Sequence, residues 1–135
     1  MMVSDASGLP LPALGGSASA YESRLVEATL DARCIERAPS SLIGDRAYDS
    51  DALQATLLEE HGVELVAPHR RGRRRPPTQD GLTLRRYSRR WRIERLFAWL
   101  GNRCRLLVRH EFHLANFAGF VTLGCIMILL KRLLG

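Results

Sequence analysis

The sequence predicts an α/β fold, a small sheet with flanking helices followed by C-terminal helices, and three observations predict it. Short apolar runs at 41–45 and 63–67 bracket a helical pattern, so two strands joined by a right-handed crossover helix should form a parallel pair. A second helical pattern begins near Thr83 and runs past Ala98. Residues 114–130 are apolar apart from Asn116 and Thr122. A chain of 135 residues holds these elements as one domain, and a domain of that size buries roughly two thirds of its unfolded surface. With 46% hydrophobic and 25% charged residues, the composition excludes intrinsic disorder.

Taken in order, Met1 to Ser19 carries Gly8, Pro10, Pro12, Gly15 and Gly16 and predicts a turn with a short edge strand. Leu25, Ala28 and Leu30, interspersed with Glu22, Glu27 and Asp31, make Tyr21 to Arg33 an amphipathic helix. Ser41-Leu42-Ile43-Gly44-Asp45 is a strand ending in an acid. Ser50 then caps a helix running through Leu53, Leu57 and Leu58 to Gly62. Val63 to Ala67 is the partner strand, and Pro68 ends it. Residues 1–69 thus form an α/β sheet region, 70–82 a basic loop, 83–109 a basic helix and 110–135 an apolar helix.

The loop should be mobile in the free protein, because charge repulsion and two prolines oppose order. Along the basic helix Tyr87, Trp91, Glu94 and Ala98 share one face, predicted to turn inward with Trp91 and Trp99 in the core. Arg85, Arg89, Arg92 and Arg103 cluster opposite, beside Leu96, and should look outward to a partner. The apolar segment spans seventeen residues, short of the roughly twenty a bilayer needs, which favours a buried core helix over a membrane span.

Net charge is +6, and its distribution says more than its total. Residues 1–69 hold 4 Arg against 11 acids, whereas residues 70–109 hold 14 Arg against Asp80 and Glu94. Such a block suits a polyanion, because each neutralised phosphate releases condensed counterions. DNA is the expected partner, contacted by Arg70, Arg71, Arg73, Arg74 and Arg75 of the loop and by the helix arginines. Cys34, Cys104 and Cys125 are too scattered for a disulfide framework, which points to a reduced, cytoplasmic setting. His110 and His113 are three apart, where a zinc-protease helix needs four.

Two acids stand out by context. Asp45 closes an apolar strand, and α/β sheets place their sites at strand C-terminal ends. Glu94 lies mid-helix beside Trp91, where a carboxylate needs a partner. Each also has a structural explanation: Asp45 as a turn or cap residue, Glu94 as a buried ion pair with Arg90 or Arg95.

Four segments carry a family resemblance. Leu42-Ile43-Gly44-Asp45-Arg46-Ala47-Tyr48-Asp49-Ser50 resembles the Gly-Asp-x-x-Tyr-Asp segment around the second catalytic aspartate of insertion-sequence four/five superfamily DDE transposases. Tyr87-Ser88-Arg89-Arg90-Trp91-Arg92-Ile93-Glu94 resembles their Tyr-x-x-Arg-x-x-x-Glu signature. Val66-Ala67-Pro68-His69-Arg70 and Thr78-Gln79-Asp80-Gly81 are similar to the same group, and the match runs from about Gly8 onward. The resemblance implies a ribonuclease H-like fold with a mixed sheet, here incomplete. It implies metal-dependent cleavage and transfer of DNA strands, with transposon ends and target DNA as partners. Asp45 and Glu94 would be catalytic residues and metal ligands, Arg90 would orient the surroundings of Glu94, and Tyr87 would lie near the DNA. Three carboxylates normally hold two Mg²⁺ (or Mn²⁺) ions roughly 3.5–4 Å apart in such chemistry.

The chain departs from the family twice. Gly101 stands where the signature has a basic residue, with Arg103 the nearest candidate. The first catalytic aspartate should precede the segment resembled by Asp5 to Leu11, and Asp5 matches a different family aspartate. The expectation is a truncated or frameshift-split transposase, inactive alone and completed by an upstream half or a homo-oligomer. The alternatives are a non-enzymatic basic DNA-binding protein or remnant and, third, a small membrane-associated protein.

Overall fold

A computed structural model describes residues 1–13, 25–32, 39–103, 106, 108 and 110–135. Cys34, Cys104 and the ends of the first predicted helix lie outside them. The chain is a mixed α/β structure with two small sheets. Strands β1 (Met2–Ser4) and β2 (Pro10–Ala13) pair antiparallel, and β3 (Ser41–Ile43) and β4 (Glu64–Val66) pair parallel. The expected single mixed sheet is, among the described residues, two separate two-stranded sheets. The division follows the packing, because the two pairs serve different hydrophobic clusters.

Around the parallel pair the local signals act as predicted. The Ser50 hydroxyl accepts from the Leu53 amide and starts α2 (Asp51–His61). Gly62 ends it at φ +64°, a left-handed conformation that costs a residue without Cβ little. The chain then returns as β4 in register with β3, Leu42 opposite Leu65 and Ile43 opposite Val66. Leu53, Leu57, Val63 and Leu65 pack with Val26 and Leu30 of helix α1 (Val26–Asp31) into the first core cluster.

The second cluster joins Leu96 and Leu100 of helix α4 (Trp91–Gly101) to Cys125 and Ile128 of helix α5 (Leu114–Leu133). A short helix α3 (Gly81–Arg85) and a 3-10 stretch (Arg86–Arg90) lead into α4. Alternation along the first strand ties the two clusters together, for Met1 packs on the first and Met2 on the second.

Three expectations are corrected here. The inward face of α4 is the Ile93, Leu96 and Leu100 stripe, not the Tyr87, Trp91, Glu94 and Ala98 stripe. Those three aliphatic residues follow i, i+3, i+7 and carry no polar group, so they bury more cheaply than a stripe containing a carboxylate. Trp91 and Trp99 are consequently exposed rather than core, at 49% and 38%. The Arg95 guanidinium lies between them, 4.6 Å from one ring and 4.8 Å from the other, and covers part of their surface.

Helix α5 is also not a buried core helix. It has 20 residues, one face on α4 and β2, and only Gly124, Cys125 and Ile128 buried. A helix apolar all round needs cover on every side, and here one side has it. Among the described residues it is the one helix long and apolar enough to cross a membrane by length and composition.

Candidate active site

Asp45 follows β3 and caps a 3-10 turn (Arg46–Tyr48), its Oδ1 accepting from the Ala47 amide at 2.8 Å. Gly44 is required for the turn to close, since a Cβ there would lie 2.9 Å from the Tyr48 ring. The spacing Gly44-Asp45-x-x-Tyr48 thus has a steric cause: the ring folds back across the residue before the acid.

Glu94 sits in the first turn of α4, its side chain 59% exposed, paired with Arg90 at 3.2 Å. Arg90 in turn donates to the Tyr87 hydroxyl at 2.9 Å. That hydrogen bond, and beyond it the fields of Glu94 and Asp45, raises the Arg90 pKa above the ordinary guanidinium value. The structure therefore brings Tyr87, Arg90 and Glu94 into contact and sets Asp45 within electrostatic reach of the same guanidinium. The ion pair expected for Glu94 forms with Arg90, but it is exposed rather than buried. Asp5 lies elsewhere, its carboxylate accepting from the Ser7 and Leu9 amides in the β1–β2 turn.

Divalent cations such as Mg²⁺ want several oxygen ligands. Among the described residues no group of three His, Cys, Asp or Glu side chains converges to hold an ion. The Glu94 carboxylate is instead paired with the Arg90 guanidinium. The residues described do not by themselves fit a bound metal.

The basic loop is docked, not free. Arg73, 12% exposed, forks between Asp49 at 2.9 Å and Asp51 at 2.6 Å, and Arg75 meets Asp51 at 3.0 Å. The Arg70 guanidinium donates to the carbonyls of Arg46 and Ala47. Further along, the Gln79 amide donates to the Leu65 carbonyl at 3.1 Å. Self-repulsion of the arginines, the reason to expect mobility, is offset by two carboxylates flanking the Ser50 cap. Asp49 and Asp51 join the site only through the structure, although two acids around a cap, together with a run of five arginines in six positions, are a sequence signal for such a pairing.

Of the predicted DNA contacts, Arg70, Arg73, Arg75, Arg90 and Arg92 are engaged by the protein itself, Arg92 with the Ala6 carbonyl. Arg71, Arg74, Arg85 and Arg89 are exposed and have no ion-pair partner among the described residues. Arg103 lies half-buried in the turn after α4.

The clamp makes a pH prediction. Arg73 and then Arg75 hold the Asp51 carboxyl below the usual value. Burial raises that of Asp49, but the Arg70 amide, the His69 ring and Arg73 outweigh it, so Asp49 is lowered as well. A lowered folded pKa gives stability that is present above the ordinary carboxylate range and lost as pH falls through the folded value. The loop is expected to stay docked at about pH 5 and to release only below about pH 4, read from the Arg73 Nε–Hε resonance by NMR. Release near neutrality would contradict the clamp.

Comparison with known proteins shows the family. The family described as transposase DDE domain matches residues 1–130. A protein of Burkholderia cepacia described as a transposase for insertion sequence element IS402 is 32% identical, over 94% of this chain and 60% of its own length. No solved structure matches. The chain spans about 60% of the length of that curated relative, and it belongs to the transposase DDE domain family.

Proposed function

We propose that the chain is part of the catalytic domain of an insertion-sequence transposase, an enzyme that cuts and joins DNA strands at transposon ends. The observation that carries this is the packing of β3, which leads into Asp45, against the 3-10 stretch whose Arg90 pairs with Glu94, so that two acids distant in sequence lie on neighbouring elements. Asp45 follows a strand of a parallel pair and Glu94 lies in the first turn of a helix, as expected for part of a ribonuclease H-like fold. In this proposal the two carboxylates carry the chemistry, Arg90 and Tyr87 hold Glu94 in place, and Arg71, Arg74, Arg85 and Arg89 contact phosphates.

Residues 1–69 act as the sheet region, 70–82 as the basic loop, 83–109 as the Glu94-bearing segment and 110–135 as the apolar helix. The Mg²⁺ or Mn²⁺ expected of such chemistry needs donors beyond Asp45 and Glu94, supplied by an upstream half or a second copy in the cytoplasm.

The test joins this chain to the region of the relative that it does not span and measures cleavage of duplex carrying the element's ends. Glu94→Gln is expected to lower cleavage by at least about a hundredfold, with duplex affinity changed by about twofold or less. Cleavage that survives Glu94→Gln would remove Glu94 from the site. Metal-independent binding with no cleavage in any form would favour the second function, a non-enzymatic basic DNA-binding protein, which the exposed arginines also support.

A further inference from the structure

Asp49 keeps only 7% of its side-chain surface exposed and still gathers three partners. Its Oδ2 accepts from the Arg70 amide at 2.7 Å, and its Oδ1 lies 2.9 Å from both the His69 Nδ1 and the Arg73 Nη1. The Thr78 amide donates to the other ring nitrogen of His69, which leaves Nδ1 as the donor to Asp49. One carboxylate thus ties both the start and the far side of the basic loop.

The Arg70 side chain does something different from its amide. Its Nε donates to the Arg46 carbonyl at 3.0 Å and its Nη2 to the Ala47 carbonyl at 2.6 Å. Ala47 is the residue whose amide fastens the Asp45 carboxylate. A planar fork that satisfies two carbonyls of a three-residue turn sets the orientation of that turn, which a point charge would not do. An unbroken path of hydrogen bonds runs from the loop through Asp49 and Arg70 to Asp45.

We propose that Asp49 is a positioning residue: it locks the basic loop onto the turn that presents Asp45, with Arg70 as the link, so that loop and carboxylate move as one body. DNA bound by the outward Arg71 and Arg74 is then registered against Asp45 by the protein's own framework. The role rests on the assignment of Asp45 to the active site.

The experiment uses the full chain and reads the Ala47 amide by NMR hydrogen exchange, together with tryptic cleavage after Arg71 and Arg74. Asp49→Asn is expected to lower Ala47 protection about tenfold and to speed loop cleavage by a similar factor. Glu59→Gln, the same charge change at an exposed position of α2, is expected to do neither. Arg70→Lys keeps the charge and loses the fork; it should lower Ala47 protection while Arg73 keeps the loop docked and resistant to trypsin.

A signature of position goes beyond stability. Adding a short mixed-sequence duplex should shift the Ala47 amide resonance in the wild-type chain and leave it in place in Asp49→Asn, although the variant still binds the duplex. Wild-type protection of Ala47 in Asp49→Asn, or equal losses in Glu59→Gln, would overturn the proposal. If Asp49→Asn does not fold, Arg70→Lys decides alone, and undiminished protection there overturns it. None of these readouts depends on strand cleavage, so a failed assignment of the active site shows separately in the Glu94→Gln assay.

Discussion

Replacing Arg71, Arg74, Arg85 and Arg89 together with Gln is expected to weaken duplex binding by on the order of a thousandfold at about 0.1 M salt. The four side chains are exposed and without ion-pair partners among the described residues, so each is available to displace a counterion. The slope of log affinity against log salt should fall by about 3 to 4, near 0.9 per phosphate contact. Titrating a fluorescent duplex across a salt series measures both quantities. Arginines already committed within the protein should behave differently. Arg73→Gln releases Asp49 and Asp51 without removing a free cation, so it should disturb the loop more than the salt slope. A slope that does not move in the fourfold variant would mean that the DNA lies on another surface.

Leu57→Ala is expected to destabilise the fold by about 2 to 5 kcal/mol. Leu57 is fully buried on the inner face of α2, in the cluster with Val26, Leu30, Val63 and Leu65. A two-stranded pair has little stability by itself, so the β3–β4 ladder depends on this cluster for its persistence. The turn that carries Asp45 depends on it in turn, because Asp45 lies two residues beyond β3 and Tyr48 packs against the same cluster. Phe97→Ala, at a site 53% exposed, should stay within about 0.5 kcal/mol of the parent. Urea denaturation followed by circular dichroism compares the two. Equal costs would show that the first cluster does not hold the domain together.

The crossover unit was legible because its signals are local. Ser50 before Leu53, Gly62 after His61 and the apolar runs on either side specify cap, stop and strands without reference to anything distant. The stripe through Tyr87, Trp91 and Glu94 misled for the opposite reason. Periodicity places those residues on one face of a helix, yet it does not say which face meets a neighbour. The aliphatic Ile93, Leu96 and Leu100 met Cys125 and Ile128, and the indoles were left outside, stacked on Arg95. Helix α5 shows the same gap: its apolar character was plain, but the extent of its burial depended on how much of it α4 and β2 could cover.

By itself the sequence determined the parallel β3–β4 pair, the two acids that stand apart, the basic block and the resemblance that named the family. Each of these rests on signals read within short segments, such as the Ser50 cap, the Gly62 stop and the apolar runs, where backbone geometry leaves few choices. Only the tertiary structure decided that Glu94 pairs with Arg90 on a stretch packed against β3, that Asp49 and Asp51 take up Arg73 and Arg75, and that four other exposed arginines have no ion-pair partner among the described residues. Pairing of charges across long stretches of chain is set by which side chains the packed cores bring within hydrogen-bond reach, and spacing along a sequence carries no record of that distance.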